Sequence, residues 1–256
     1  MASLPGRPSW KLLASLHRQR AAGDETEFVA PGISIEDQLT KVDAVDRQTL
    51  AGSHPQKLDR WPRTERRQAR IASVLSRRQP DLTVVLENIH DPHNVSAILR
   101  SCDAVGVLRV HTVYSVEEPP PGAFARQTSA SAAKWVEVMR HRSLAQCFDY
   151  LRAENFRILV TSVGSGARQL FDWEFLDPVA LVFGNEMRGA SVDARTGADG
   201  AIEIPMAGMV ESLNVSVACA VCLFEVYRQR TAAGAYDAPK LDRTARRALE
   251  DDWLRR

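Results

Sequence analysis

The sequence predicts an α/β protein: a parallel sheet with helices on both faces, preceded by an arginine-rich helix. Three observations predict it. From Asp81 onward, short β-branched runs alternate with longer helical patterns. Several of those runs, Val179–Phe183 above all, are apolar throughout, as strands covered on both faces are. Residues 213–230 form the longest helical segment and are apolar almost all round, which predicts a buried helix.

The chain divides into zones of different character. Residues 1–58 contain Pro5, Pro8, Pro31 and Pro55 without sustained periodicity, and are expected to form an irregular N-terminal extension. Residues 59–80 read as a helix on which Arg63, Arg66, Arg67, Arg70 and Arg77 draw a basic stripe, with Ile71, Val74 and Leu75 adjoining it as an apolar anchor. Residues 81–230 carry the alternating pattern, and 231–256 a tail or helix. Within the alternating zone a strand at 83–86 leads through a turn at Asp91-Pro92 into a helix at 95–105. Strands at 109–112 and 135–138 follow, separated by a loop rich in proline and small residues. An amphipathic helix at 144–154 then precedes a strand at 157–163, the apolar strand Val179–Phe183 and a short strand at 202–204.

Bulk composition narrows the function. In 256 residues the hydrophobic share is 45% and the charged share 25%, so a core can form without disulfides or structural metal. Formal net charge is +1, so any affinity for nucleic acid must come from local clusters of arginine. Cys102, Cys147, Cys219 and Cys222 lie mostly in apolar contexts and suit reduced thiols in a cytoplasmic protein. Cys219 and Cys222 form a CxxC inside an apolar run, which reads as core packing. No apolar stretch is long and pure enough for a bilayer, so no membrane partner is expected. The first 23 residues contain Arg7, Lys11, Arg18 and Arg20 and no acid, a composition shared by transit peptides and plain extensions.

Three segments carry candidate chemistry. In the first, residues 86–100, Asn94 stands where a strand passes into a helix, and Arg100 follows six residues later. Asn94 can cap the helix or meet a ligand. Arg100 can act on substrate or simply pair with Asp103 at i+3. In the second, 181–189, an apolar strand ends in Gly184 and Gly189, which bracket polar groups at the carboxyl edge where parallel sheets bind ligands. A glycine-rich connection would look the same. In the third, 204–216, a strand passes through a loop of small residues and methionines into the long helix, with Ser212 suited to cap it. Such a loop offers backbone donors beside apolar walls, as adenine recognition needs, although its methionines can equally fill core gaps. His90 and His93 flank the first segment without the carboxylate–histidine spacing of a metal site, so no metal is expected.

Taken in order, HNVSAILRSCDAVG, LVFGNEMRG and IPMAGMVESLNVSVA resemble the three motifs of the SpoU/TrmH branch of SPOUT RNA methyltransferases. The likeness runs from about Arg66 to Trp253 and is closest to the tRNA-modifying members. It implies a C-terminal deep trefoil knot in the α/β domain, a homodimer, and S-adenosylmethionine as cofactor. It also implies 2′-O-methylation of a tRNA ribose, the D-loop guanosine above others. Carried over by motif position, Asn94, Arg100, Glu186, Ser212 and Asn214 form the catalytic set. Ser162, Val163, Gly184, Ile204, Met206 and Leu213 are the cofactor contacts, largely through backbone. Arg66, Arg67 and Arg70 are implied tRNA contacts, extended by Arg78, His93, Arg228 and Arg230. For Arg228 and Arg230, completing a helix C-terminus is the competing role.

The methyl group of such a cofactor sits on a positive sulfonium, so the chemistry needs no metal. Deprotonating a free guanidinium near pH 7 costs about 8 kcal/mol. Arg100 is therefore expected to stay charged, gripping a phosphate and the developing alkoxide, with phosphate or water taking the proton. Alternatives are action on ribosomal RNA or another tRNA position, a non-catalytic RNA-binding module, and a nucleotide-binding Rossmann enzyme. The last has only Gly164-Ser165-Gly166 in its favour, with Gln169 where a third glycine belongs.

Overall fold

A computed structural model describes residues 63–115, 132–164 and 166–256. The expected extension and transit-peptide segment, and most of the loop before residue 132, lie outside the described residues.

Helix α1 (Arg63–Leu75) precedes β1 (Leu82–Glu87), α2 (Pro92–Val105) and β2 (Arg109–Val113). A 3-10 turn (Ala132–Lys134) leads into β3 (Glu137–His141), α3 (Leu144–Ala153), β4 (Arg157–Thr161) and the short β5 (Arg168–Gln169). After a second 3-10 turn (Leu170–Asp172) come β6 (Val179–Phe183), α4 (Val192–Gly197), β7 (Gly200–Glu203), α5 (Val215–Ala232) and α6 (Arg243–Arg255). The sheet order is β3-β2-β1-β6-β4-β7-β5, with every neighbouring pair parallel.

Side-chain alternation explains why both faces are covered. On β1, Val84 and Leu86 enter a cluster with Ile98, Leu99 and Cys102 of α2 and Cys219, Cys222 and Leu223 of α5. Val85, one residue out of phase, faces Cys147, Phe148 and Leu151 of α3 on the opposite side. A leucine buried this deeply, such as Leu99, contributes about 2–5 kcal/mol against alanine.

Local signals set the helix ends. Asp91 caps α2 by accepting from the His93 amide at 2.9 Å, and Pro92 occupies the first turn, where a missing N–H costs nothing. The helix stops at Gly106, whose φ of 91° is left-handed.

Several expectations are corrected. The strand expected at 135–138 is displaced to Glu137–His141. Trp135 instead packs on Trp253, with ring centroids 5.1 Å apart. The long helix begins at Val215, and its cap is Asn214, not Ser212. Nor is that helix buried all round: Val217 and Phe224, seven residues apart on one face, are 47% and 52% exposed. Residues 231–256 hold a full helix, α6, which packs on α1 through a cluster of Ile71, Leu75 and Trp253.

Two arginines expected at an RNA surface are fully buried. Arg78 donates to Asp103 and to the Val107 carbonyl, and its guanidinium stacks over Trp253. Burial presses its pKa below the ordinary value, and Asp103 opposes that. Arg230 donates to the carbonyls of Phe175, Asp81 and Asp177 and to the Asp81 carboxylate at 2.7 Å. Both tie the ends of strands and helices together and leave no surface for a phosphate. Removing Arg78 would strand the partly buried Asp103 carboxylate, and removing Arg230 would leave three carbonyls without a donor although Lys240 still pairs with Asp81, each at about 3–5 kcal/mol.

Candidate active site

The carboxyl ends of β4, β6 and β7 open onto a cleft of about 380 Å³. Parallel sheets bind ligands at this edge because several loops leave it together.

The loop after β6 is shaped by its glycines and by Asn185. A side-chain carbon at Gly184 would lie 2.2 Å from the Ala190 amide nitrogen, so only glycine fits where the loop folds back on itself. Gly189 has a left-handed φ of 67°. Between them Asn185 accepts from the amides of Met187 (2.9 Å) and Arg188 (3.2 Å). Its Nδ2 donates 2.8 Å to the carbonyl of Asn88, itself left-handed at φ 54°. From behind, the buried carboxylate of Glu87 accepts from the Ser191 amide at 3.0 Å.

The three motif segments meet in one hydrogen-bonded chain. Asn94 Nδ2 donates to Glu186 Oε1 at 2.8 Å, and Asn214 Nδ2 donates to Asn94 Oδ1 at 3.1 Å. Asn214 Oδ1 meanwhile caps α5, accepting from the Ser216 amide at 2.9 Å. Because Asp91 already caps α2, the amide of Asn94 is left for this bridge. Glu186 and Ser212 line the cleft, and so do all six positions expected at a cofactor: Ser162, Val163, Gly184, Ile204, Met206 and Leu213. Thr161 and Arg195 line it too, though nothing in the sequence singles them out. Arg195 donates to the Ala190 carbonyl at 2.6 Å, a tie between residues whose pairing no spacing rule foretells.

Arg100 is not brought into the cleft. Six residues of helix separate it from Asn94, which is about 9 Å of rise and a different face. It lies on an exposed stripe of α2 with His93, Ala97 and Ala104. The i+3 pairing is not made, because Asp103 is taken by Arg78. On α1, Arg66, Arg67 and Arg70 are exposed, and Arg67 also donates to the Trp253 carbonyl at 3.3 Å. Arg228 is exposed and paired with Glu225 at 2.7 Å, and its guanidinium holds that carboxyl below the usual carboxylate range.

A parallel α/β sheet with a loop-walled cleft at its carboxyl edge is the architecture of a protein that binds a small ligand there. The chain belongs to the SpoU rRNA Methylase family, which it matches over residues 81–224. It is 50% identical over 194 residues to the tRNA (guanosine(18)-2′-O)-methyltransferase of Thermus thermophilus, covering 76% of this chain and 98% of the relative. Among solved structures it is similar to the TrmH/SpoU tRNA modifying enzyme of A. aeolicus, with a TM-score of 0.66 and 33% identity over 75% of this chain and 96% of the other. It is also similar to the SpoU methyltransferase AviRb of Streptomyces viridochromogenes in complex with AdoMet, with a TM-score of 0.53 and 27% identity over 61% and 62% of the two chains.

Proposed function

We propose that this protein is an S-adenosylmethionine-dependent 2′-O-methyltransferase acting on guanosine 18 of tRNA. The observation that carries the reading is the Asn94–Glu186–Asn214 bridge at the mouth of the cleft. The likeness to the Thermus enzyme over nearly its whole length supports the tRNA substrate.

The cleft suits the cofactor. About 380 Å³ falls in the range of small-molecule sites, and its lining mixes backbone polar groups with Ile204, Met206 and Leu213. Gly184, Ile204 and Leu213 would hold the nucleoside through backbone and apolar contacts, and Ser162 and Val163 would close one end. When bound, S-adenosylmethionine supplies an electrophilic methyl carbon on a positive sulfonium. The bridged side chains of Asn94, Glu186 and Asn214 then form a polar wall that orients the ribose, while Ser212 completes the edge of the cleft. The attacking 2′-oxygen gives up its proton to a neighbouring phosphate or to water. Arg100, as a cation, grips that phosphate and the developing alkoxide.

Since Arg100 stands outside its own cleft, this role requires a second copy, and we infer a homodimer in which each Arg100 serves the partner's site. The exposed stripe His93–Ala97–Arg100–Ala104 and the uncovered Val217 and Phe224 support such a contact. A trefoil knot in the C-terminal third is part of the same reading. Its support is family membership and a sheet order in which β6 lies between β1 and β4, and β7 between β4 and β5.

For RNA capture we propose the exposed arginines of α1, Arg66, Arg67 and Arg70, with His93 and Arg228 as outlying contacts. Residues 59–80 would then serve as the RNA-binding element, 81–230 as the catalytic domain and 231–256 as its brace. No helix among the described residues is long and apolar enough to cross a membrane. Work on tRNA fits a cytoplasmic enzyme.

The decisive experiment incubates the protein with labelled S-adenosylmethionine and unmodified tRNA transcripts, then maps the methylated ribose. Label at the 2′-oxygen of guanosine 18 is expected. Label elsewhere, or none, overturns the reading.

A further inference from the structure

On the face of the sheet that carries α3, three metal-ligating side chains from different elements converge. His111 stands on β2, His141 on the edge strand β3 and Cys147 on α3. His111 Nδ1 lies 2.8 Å from His141 Nε2, and the ligand atoms of all three residues lie within 4.8 Å of one another. The group is buried, with exposures of 2%, 7% and 0% in that order. None of the three lines the methyl-transfer cleft. We propose that His111, His141 and Cys147 form a metal site that takes a soft monovalent cation, Cu(I), in three-coordinate N₂S geometry.

The donor set and the charge point to that ion. A thiolate with two imidazoles suits late, soft metals, and no carboxylate belongs to the group. One thiolate and one monovalent cation leave the pocket neutral, whereas a divalent ion would leave a positive charge in a buried setting. A buried charge without a counter-ion is costly, so the neutral combination is favoured. Bonds of about 2.0 Å to nitrogen and about 2.3 Å to sulfur put trigonal ligand atoms roughly 3.4–3.7 Å apart. The imidazoles must therefore part from 2.8 Å by about 0.7 Å, a ring rotation rather than a rearrangement of strands.

The step balances without any oxidant or reductant. The Cys147 thiol gives its proton to solvent, and one Cu–S and two Cu–N bonds form. The proton held between the two rings moves to the outer nitrogen of the ring that carried it, a change of tautomer. Each imidazole, in its neutral form, then offers one ring nitrogen's electron pair to the ion. Without metal, the same residues would be a hydrogen-bonded imidazole pair beside a small apolar thiol.

The test loads the full-length protein anaerobically with Cu(I) against a chromogenic Cu(I) chelator and records copper-edge X-ray absorption. One ion per chain with two nitrogen and one sulfur donors is expected. The Cys147→Ala and His141→Gln variants should each lose at least tenfold in affinity, while Cys222→Ala keeps it. A sulfur-only shell, or full affinity in Cys147→Ala, overturns the site. Retention of zinc by the same three residues overturns the monovalent assignment. Should the variants fail to fold, the absorption spectrum of the unaltered protein decides alone.

Discussion

Asn94 at the start of α2 donates a 2.8 Å hydrogen bond to Glu186 in the loop after β6, joining segments 92 residues apart. The same Asn94 receives the amide of Asn214, so one side chain holds two loops. Asn94→Ala is expected to lower kcat/KM for tRNA methylation by about 10- to 100-fold, a loss of roughly 1.4–2.8 kcal/mol in transition-state stabilisation. Its folding stability should change by less than about 1 kcal/mol, because the bond is exposed. Steady-state kinetics beside urea denaturation checks both halves.

Gly184→Ala forces a carbon to within 2.2 Å of the Ala190 amide, so the loop must open. Overpacking of this kind costs about 1–3 kcal/mol. Cofactor binding, followed by calorimetry, should fall by more than tenfold. An unaltered dissociation constant would remove this loop from the cofactor site.

The arginines should separate into two kinds. Arg230→Met is expected to destabilise the fold by about 3–5 kcal/mol, because the carbonyls of Phe175, Asp81 and Asp177 and the Gln79 side-chain oxygen lose their donor while Lys240 still holds the Asp81 carboxylate. Neutralising Arg66 and Arg70 together should leave stability within about 0.5 kcal/mol. The same double change should weaken tRNA binding and reduce the salt slope by about one for each phosphate no longer gripped. Filter binding across a salt series, with melts of each variant, distinguishes them.

The proposed exchange of Arg100 between subunits predicts complementation. Arg100→Ala and Glu186→Ala should each be inactive alone. Mixed and allowed to exchange subunits, they should recover about a quarter of full activity, since half of the dimers then hold one intact site. No recovery under verified exchange would place Arg100 in its own chain's chemistry or outside it altogether.

Much of the fold and site is legible in the residues themselves. Val179–Phe183 announces a central strand because every position is apolar, and the structure buries all five. The edge strand β3 lies two residues beyond its expected place because Glu137, Val138 and Arg140 are exposed and Met139 is only half-buried, so no apolar run marks it. The fates of Arg78 and Arg230 are hidden for a different reason. A guanidinium near a helix end looks the same in sequence whether solvent or Asp81 waits beside it. Likewise, His111, His141 and Cys147 have no spacing signature, since strand pairing and helix packing alone bring them together. Asn94, Glu186, Ser212 and Asn214 are easier to find, because each stands close to a glycine, a strand end or a helix start, whereas Arg100 in the middle of α2 has no such marker.

The bridge through Asn94 also dictates when, in the life of a newly made chain, activity can begin. Its partners lie 92 and 120 residues further along, and contacts so distant in sequence form late. A chain still attached to the ribosome with Asn214 unmade has a nearly complete sheet but no finished reaction chamber. Synthesis must pass Asn214 before the reaction chamber can close, so a fragment that stops short of that residue can hold tRNA on α1 yet cannot methylate it.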